Sequence, residues 1–129
     1  MGSFSHWFDN EILGVFEGNT PVIPSTLYVA CHSTACSEAI PGTELSGDGY
    51  ARFPITFERV SDIQRWNPTA VSSSTASAEW SVASLSIWDD ANIGGGNYYA
   101  FGNLTATLTV EANKAIQCPE HTVNVGMGT

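Results

Sequence analysis

The sequence predicts a mainly β protein: an antiparallel, jelly-roll-like β-sandwich of about six or seven short strands behind one N-terminal α-helix. Three observations carry this. Apolar and polar residues alternate with period two along Tyr50–Phe57 and again along Leu104–Val110, the mark of half-buried strands. Turn residues punctuate the chain at Gly47-Asp48-Gly49, Asn67-Pro68 and Gly94-Gly95-Gly96. A four-residue apolar rhythm occurs ahead of Gly18, where Phe4, Phe8, Ile12 and Phe16 recur, and that spacing makes one face of a helix.

The helix is expected over Ser3–Glu17, with Ser3 as N-cap and Gly18 as the stop. Its stripe either covers one end of the sheet or presents Trp7 and its neighbours to a partner. Thr20–Ser25 holds two prolines and reads as an extended linker. Leu27–Cys31 is a strand, and residues 32–49 form a long loop of the kind that often carries function. In the next strand Ala51, Phe53, Ile55 and Phe57 share one face. Pro54 cannot donate to a ladder, so this strand belongs at an edge or a bulge.

Glu58–Asp62 reads as polar, Ile63–Trp66 as a short strand, and Ser72–Ser77 as a solvated low-complexity tract. Trp80–Trp88 is a strong strand, with Ala83, Leu85 and Ile87 on one face. Asn97–Gly102 closes a hairpin onto it. Leu104, Ala106, Leu108 and Val110 are expected inward on the following strand. Glu111–Glu120 is a polar connection, and Thr122–Met127 supplies a last strand. The whole is one domain, residues 1–129, divided into the helix (1–18) and the sandwich (19–129).

The chain has 129 residues and a net charge of −9, with only four basic residues, Arg52, Arg59, Arg65 and Lys114. Nucleic acid and anionic membranes are excluded as partners, because both need clustered Lys and Arg. Asp9, Asn10 and Glu11 interrupt the N-terminus, which lacks the pattern of a signal peptide. Synthesis in a cytoplasm is the expectation.

The best metal candidates are Cys31, Cys36, Cys118 and His121, which could hold zinc tetrahedrally. A Cys31–Cys118 or Cys36–Cys118 disulfide stands beside that reading, as does burial of Cys31 as a small hydrophobe. Asp89, Asp90, Asn92 and Asn97 offer oxygen ligands for calcium, or merely a turn. Asn103-Leu104-Thr105 fits the glycosylation pattern but lies in a strand. Gly-x-Ser-x-Gly is absent and the glycine run is not followed by Lys and Ser/Thr. Nothing favours a Cys–His nucleophile, so neither an enzyme nor a cofactor is expected. Trp66, Trp88, Tyr98 and Tyr50 are read either as aromatics that point away from the core, of the kind that mark contact surfaces, or as side chains covered because both faces of a sandwich strand are partly buried.

Four stretches then stand in a recognisable order: STLYVACHS (Ser25–Ser33), GDGYARFPITF (Gly47–Phe57), EWSVASLSIWDDANIGGGNYYAFGNL (Glu79–Leu104) and TVEANKAIQCPEHTVNVG (Thr109–Gly126). This order resembles a family of small tailed-phage virion proteins, often labelled tail fibre proteins, some of which serve as head decoration (cement) proteins. The chain departs from the family pattern at Ser86, where glycine is usual, at the Asp89-Asp90 pair, and in its cysteines. The resemblance implies a β-sandwich of the virion. The leading expectation is a decoration protein on the head surface, bound to the major capsid protein and to itself as a homodimer or homotrimer. The alternative is a tail-fibre or baseplate adhesin that stacks a host glycan on Trp66, Trp88, Tyr98 and Tyr99. Candidate contact residues are Phe4, Trp7, Phe8, Arg65, Trp66, Trp88 and Tyr98, with the helix and the 32–49 loop as the contact segments.

Overall fold

The computed structural model describes residues 3–126. It is 39% strand and 10% helical, so the fold is mainly β, as the alternation predicts. The strands are β1 (Ser3–Phe4), β2 (Leu27–His32), β3 (Phe53–Ile55), β4 (Glu58–Ser61), β5 (Gln64–Trp66), β6 (Val71–Ser72), β7 (Trp80–Trp88), β8 (Tyr98–Val110), β9 (Gln117–Cys118) and β10 (Asn124–Gly126). A large antiparallel sheet runs β1-β8-β7-β2-β3, and a smaller one runs β10-β5-β4. A two-stranded piece, β6-β9, completes the set. Val123 and Val125 pack against the core of the large sheet, so the two sheets face each other as the layers of a sandwich.

The N-terminus departs from a single helix. Ser3 and Phe4 pair with Phe101 and Ala100 as an added edge strand. The α-helix α1 (His6–Leu13) therefore starts late, and Ser5 is its cap. The Ser5 hydroxyl accepts from the Phe8 N–H at 3.1 Å and donates to the Tyr98 carbonyl. A cap of this kind is worth about 1 kcal/mol. Beyond Leu13 the chain tightens into a 3-10 turn, Gly14–Glu17, which stops at Gly18 in the left-handed region (φ 85°). A 3-10 turn advances faster around its axis than an α-helix. Phe16 is thereby rotated off the stripe it shares in sequence with Phe8 and Ile12.

The register of the large sheet sorts its side chains. Val29 pairs with Ile87 and Cys31 with Leu85, and all four lie in or against the main core cluster. Ala30 pairs with Ser86 on the opposite face, where Ala30, Cys36, Trp88 and Tyr98 form a second cluster. Pro54 sits in β3, an edge strand, where its missing donor is harmless.

Four sequence expectations are corrected or completed. The Tyr50–Phe57 strand is only three residues long, because Tyr50 and Arg52 are drawn into a buried polar network. Glu58–Ser61, read only as polar, forms one arm of a hairpin with β5. The Ser72–Ser77 tract is not solvated throughout: Ser73 and Ala76 bond to the 114–116 segment, and Ala76 is buried. The proposed inward row on β8 fails. Ser84 pairs with Asn103 but Val82 with Leu108, so β8 carries extra residues here and bulges outward. Leu104 and Leu108 are exposed as a result, while Val110 stays in the core. Bulges of this kind also blunt a sheet edge against unwanted pairing. Met127, placed in the last strand by the sequence, lies outside the described residues.

The polar network centres on Arg52. Its Nε and Nη2 donate to the two Glu44 carboxylate oxygens at 2.9 and 2.8 Å. Its Nη1 donates to the Asp90 and Gly95 carbonyls at 2.8 and 2.9 Å. The guanidinium lies 4.4 Å from the centre of the Trp88 ring, and the Tyr50 hydroxyl donates to Glu44 at 2.7 Å. One side chain thus ties the 33–49 loop to the β7–β8 turn. That loop is itself pinned, with the Ser33 N–H on the Thr43 carbonyl and the Leu45 N–H on the Cys31 carbonyl.

Candidate functional site

Helix α1 lies across the large sheet with Trp7 and Phe8 against Tyr99, ring centres 5.0 and 5.1 Å apart. Phe4 meets Phe8 edge-on at 5.0 Å. Facing the helix stands the β4–β5 hairpin with β10 behind it. The two do not close on each other. Between them runs a groove of about 340 Å³. Phe4, Phe8 and Ile12 form one wall, and Ile63, Arg65 and Val125 the other. Its floor is the sheet itself, at Ile87, Tyr99 and Ala100.

Two segments that line the groove also carry a shoulder of exposed apolar side chains. Ile12 and Pro24 line the groove, and their neighbours project from the surface: Leu13 is 60% exposed, Phe16 87% and Ile23 82%. The Val22 N–H donates to the Glu11 carboxylate at 3.1 Å, which holds the linker against the helix and keeps these side chains together. An open apolar groove with exposed apolar side chains on the segments that line it points to an interaction site.

A family model described as "Podophage GP4 fiber I protein gp80" matches residues 3–126. The chain belongs to this family. No curated protein matches it. Membership makes the chain a phage virion structural protein, as the resemblance implies, and places it in the virion. Among the described residues no helix is long and apolar enough to cross a membrane.

In this fiber I family member the candidate contact residues fall into four groups. Phe4, Phe8 and Arg65 line the groove. Trp7 is half-buried, its ring spent on Tyr99. Trp66 lies on the outer face of the small sheet, with its Nε1–H on Glu58 at 2.8 Å and its ring stacked on His121 at 4.2 Å. Trp88, Tyr98, Tyr50 and Tyr99 are buried, which corrects the reading of exposed aromatics. Both faces of β7 are covered, so alternation could not tell inward from outward there. Ile63, Phe16 and Ile23 were missed. The signal available was an isoleucine in the polar Glu58–Asp62 surroundings and another between two prolines.

The metal candidates are not brought together. Cys31 and Cys118 sit in the main core, Cys36 lies across the sheet, and His121 caps Trp66. Among the described residues no three His, Cys, Asp or Glu side chains cluster as a metal site. In the glycine-rich turn Asp89 is already engaged, accepting from the Asn97 backbone at 2.7 Å, the Asn97 amide at 2.9 Å and the Tyr99 hydroxyl at 3.2 Å. His32 is a core residue. Its Nδ1 donates to the Gly42 carbonyl at 2.8 Å, and its Nε2 meets the Ser86 hydroxyl at 2.6 Å. The Asn103 amide clasps the Cys36 backbone through both its oxygen and its nitrogen.

All three thiols are free and buried. Burial pushes Cys31 up to about 12, with Cys118 adding to the shift, and burial raises Cys118 as well. Burial also pushes Cys36 upward, but His32, the Gly42 N–H and the Ser84 hydroxyl outweigh it and leave the thiol below its ordinary value. Thiolate fraction and access together set reactivity. The native protein is expected to react slowly with a disulfide reagent at neutral pH, Cys36 first. The denatured chain should titrate all three thiols at once. Rapid native labelling of Cys31 or Cys118 would contradict this burial.

Proposed function

We propose that the chain is a fibre-associated structural component of the virion that works by docking, and that the groove and shoulder are its contact surface. One observation carries the reading: an open apolar recess flanked by exposed Phe16 and Ile23, on a protein whose net charge is −9. Apolar area removed from water stabilises a contact by roughly 25 cal/mol per Å² before the costs of association. The family description, which names a fibre protein, supports the fibre location. No catalytic group takes part in this function.

Capsid decoration is the second reading. The His6 N–H donates to the Glu38 carbonyl at 2.8 Å, so the helix and the long loop form one surface, and Ile40 at the loop tip is 68% exposed. On that reading the partner is the major capsid protein and the site is the head exterior. Ligands that bind only the assembled lattice stabilise it by mass action. Copy number separates the two. Quantitative mass spectrometry of purified virions is expected to give a small number of copies relative to the major capsid protein. A ratio near one would overturn the fibre reading in favour of decoration.

A further inference from the structure

We propose that the occupant of the groove is a basic amphipathic segment of another virion chain, an apolar run flanked by lysine or arginine. The proposal rests on the docking reading above and adds the chemistry of the partner.

Charge decides that chemistry. No Lys or Arg precedes Arg52, whereas Asp9, Glu11, Glu17, Glu38, Glu44 and Asp48 all do. Arg52 is spent on Glu44 in the interior. Asp9, Glu11 and Glu17 lie on α1 and the 3-10 turn after it. Glu38 lies on the loop that the helix meets, its carboxylate 3.1 Å from His6 Nε2. The helical wall of the groove thus carries carboxylates and no lysine or arginine, on segments that also expose Leu13, Phe16 and Ile40. The hairpin wall does not offset this. It sets Arg59 and Arg65 against Glu58 and Asp62. Asp62 pairs with Arg59, and Arg65 Nη1 donates to the Ser61 and Gln64 carbonyls at 2.7 and 2.9 Å. Such a surface repels an acidic partner, and a purely apolar one would leave the helix carboxylates without a counter-charge. A segment that lays apolar side chains on Phe8, Ile12 and Ile63 and turns its cations toward the helix satisfies both.

Titration of the isotope-labelled full chain with synthetic peptides, read by amide chemical shifts, tests this. An amphipathic helix of leucine and lysine is expected to shift the amides of α1 and of Ile63. Its counterparts with serine for leucine, or glutamate for lysine, should each bind about 10-fold more weakly or worse. D9N/E17Q should raise the Kd for the leucine–lysine peptide about 5-fold at low salt and far less at high salt, because exposed charge contacts are individually small and screened. I63S, at an exposed isoleucine that lines the groove, should raise it about 10-fold at an unchanged thermal midpoint. I93S, at an exposed isoleucine in the β7–β8 turn, should leave it as in the wild type. Failure of the leucine–lysine peptide to bind, shifts centred away from the groove, or a Kd indifferent to D9N/E17Q and to salt would overturn the proposal. If the leucine–glutamate peptide shifts the same amides as strongly, the groove still docks and only the cationic partner is wrong. If every peptide that binds avoids the groove, the docking reading falls with it.

Discussion

Replacing Arg52 with methionine is expected to destabilise the protein by about 3–5 kcal/mol, the cost of stranding one partner of a buried ion pair. The Arg52 side chain is fully buried and that of Glu44 only 11% exposed, so water cannot take over. The substitution also leaves the Asp90 and Gly95 carbonyls without their donor and uncovers the Trp88 face. In thermal unfolding this amounts to a drop on the order of 10 °C. Combining R52M with E44Q should recover part of the loss, because the stranded charge is then gone.

The pH dependence has a defined sign. Burial pushes Glu44 upward, but hydrogen bonds from Arg52 and Tyr50 outweigh it and hold the carboxyl below its ordinary value of 4.5. A depressed carboxyl contributes stability that is present above the unfolded value and lost as pH falls through the folded one. In R52M the same carboxyl is buried without its cation and its shift reverses. The gap between wild type and R52M should therefore begin to narrow above pH 4.5, as the R52M carboxyl takes up its proton, and narrow further below 4.5 as the wild type loses its own contribution. A gap that is small at neutral pH, or unchanged on acidification, would show that the pair is not what holds the two loops together.

Arg52 also shows how far the sequence could be read. Alternation set it on the face opposite Phe53 and Ile55, yet it is as buried as they are. Nothing local to Tyr50–Phe57 announces a partner in Glu44 or two carbonyls some forty residues away. The same limit explains the helix. The sequence puts the N-cap at Ser3, and the pairing of Ser3–Phe4 with β8 moves it to Ser5. The β7 strand was legible because its own pattern and length suffice. The bulge in β8 was not, since Leu104–Val110 alternates cleanly and only its register against β7 reveals the extra residues. At the candidate site the helical stripe read from sequence named Phe4 and Phe8, and both line the groove. The opposite wall comes from a hairpin whose residues read as polar, and Phe16 leaves the stripe because the helix tightens after Leu13.

Trp80→Ala is expected to cost about 3–5 kcal/mol, the range for removing a large aromatic from a core. Trp80 is 3% exposed and meets Tyr50 edge-on at 5.7 Å. It also holds a turn that is unfavourable by itself. Gly47, Asp48 and Gly49 all have positive φ, at 72°, 53° and 81°, and Asp48 has no glycine freedom to soften that. The Trp80 Nε1–H donates to the Asp48 carbonyl at 2.9 Å, and the Ser77 N–H reaches the same oxygen at 2.9 Å. Trp80→Phe should therefore cost less, about 1–2 kcal/mol, because Asp48 keeps one donor and most of the volume is retained. Urea unfolding at unchanged m reads both variants. If W80A fell within about 1 kcal/mol of wild type, Trp80 would not be holding the turn against the sheet.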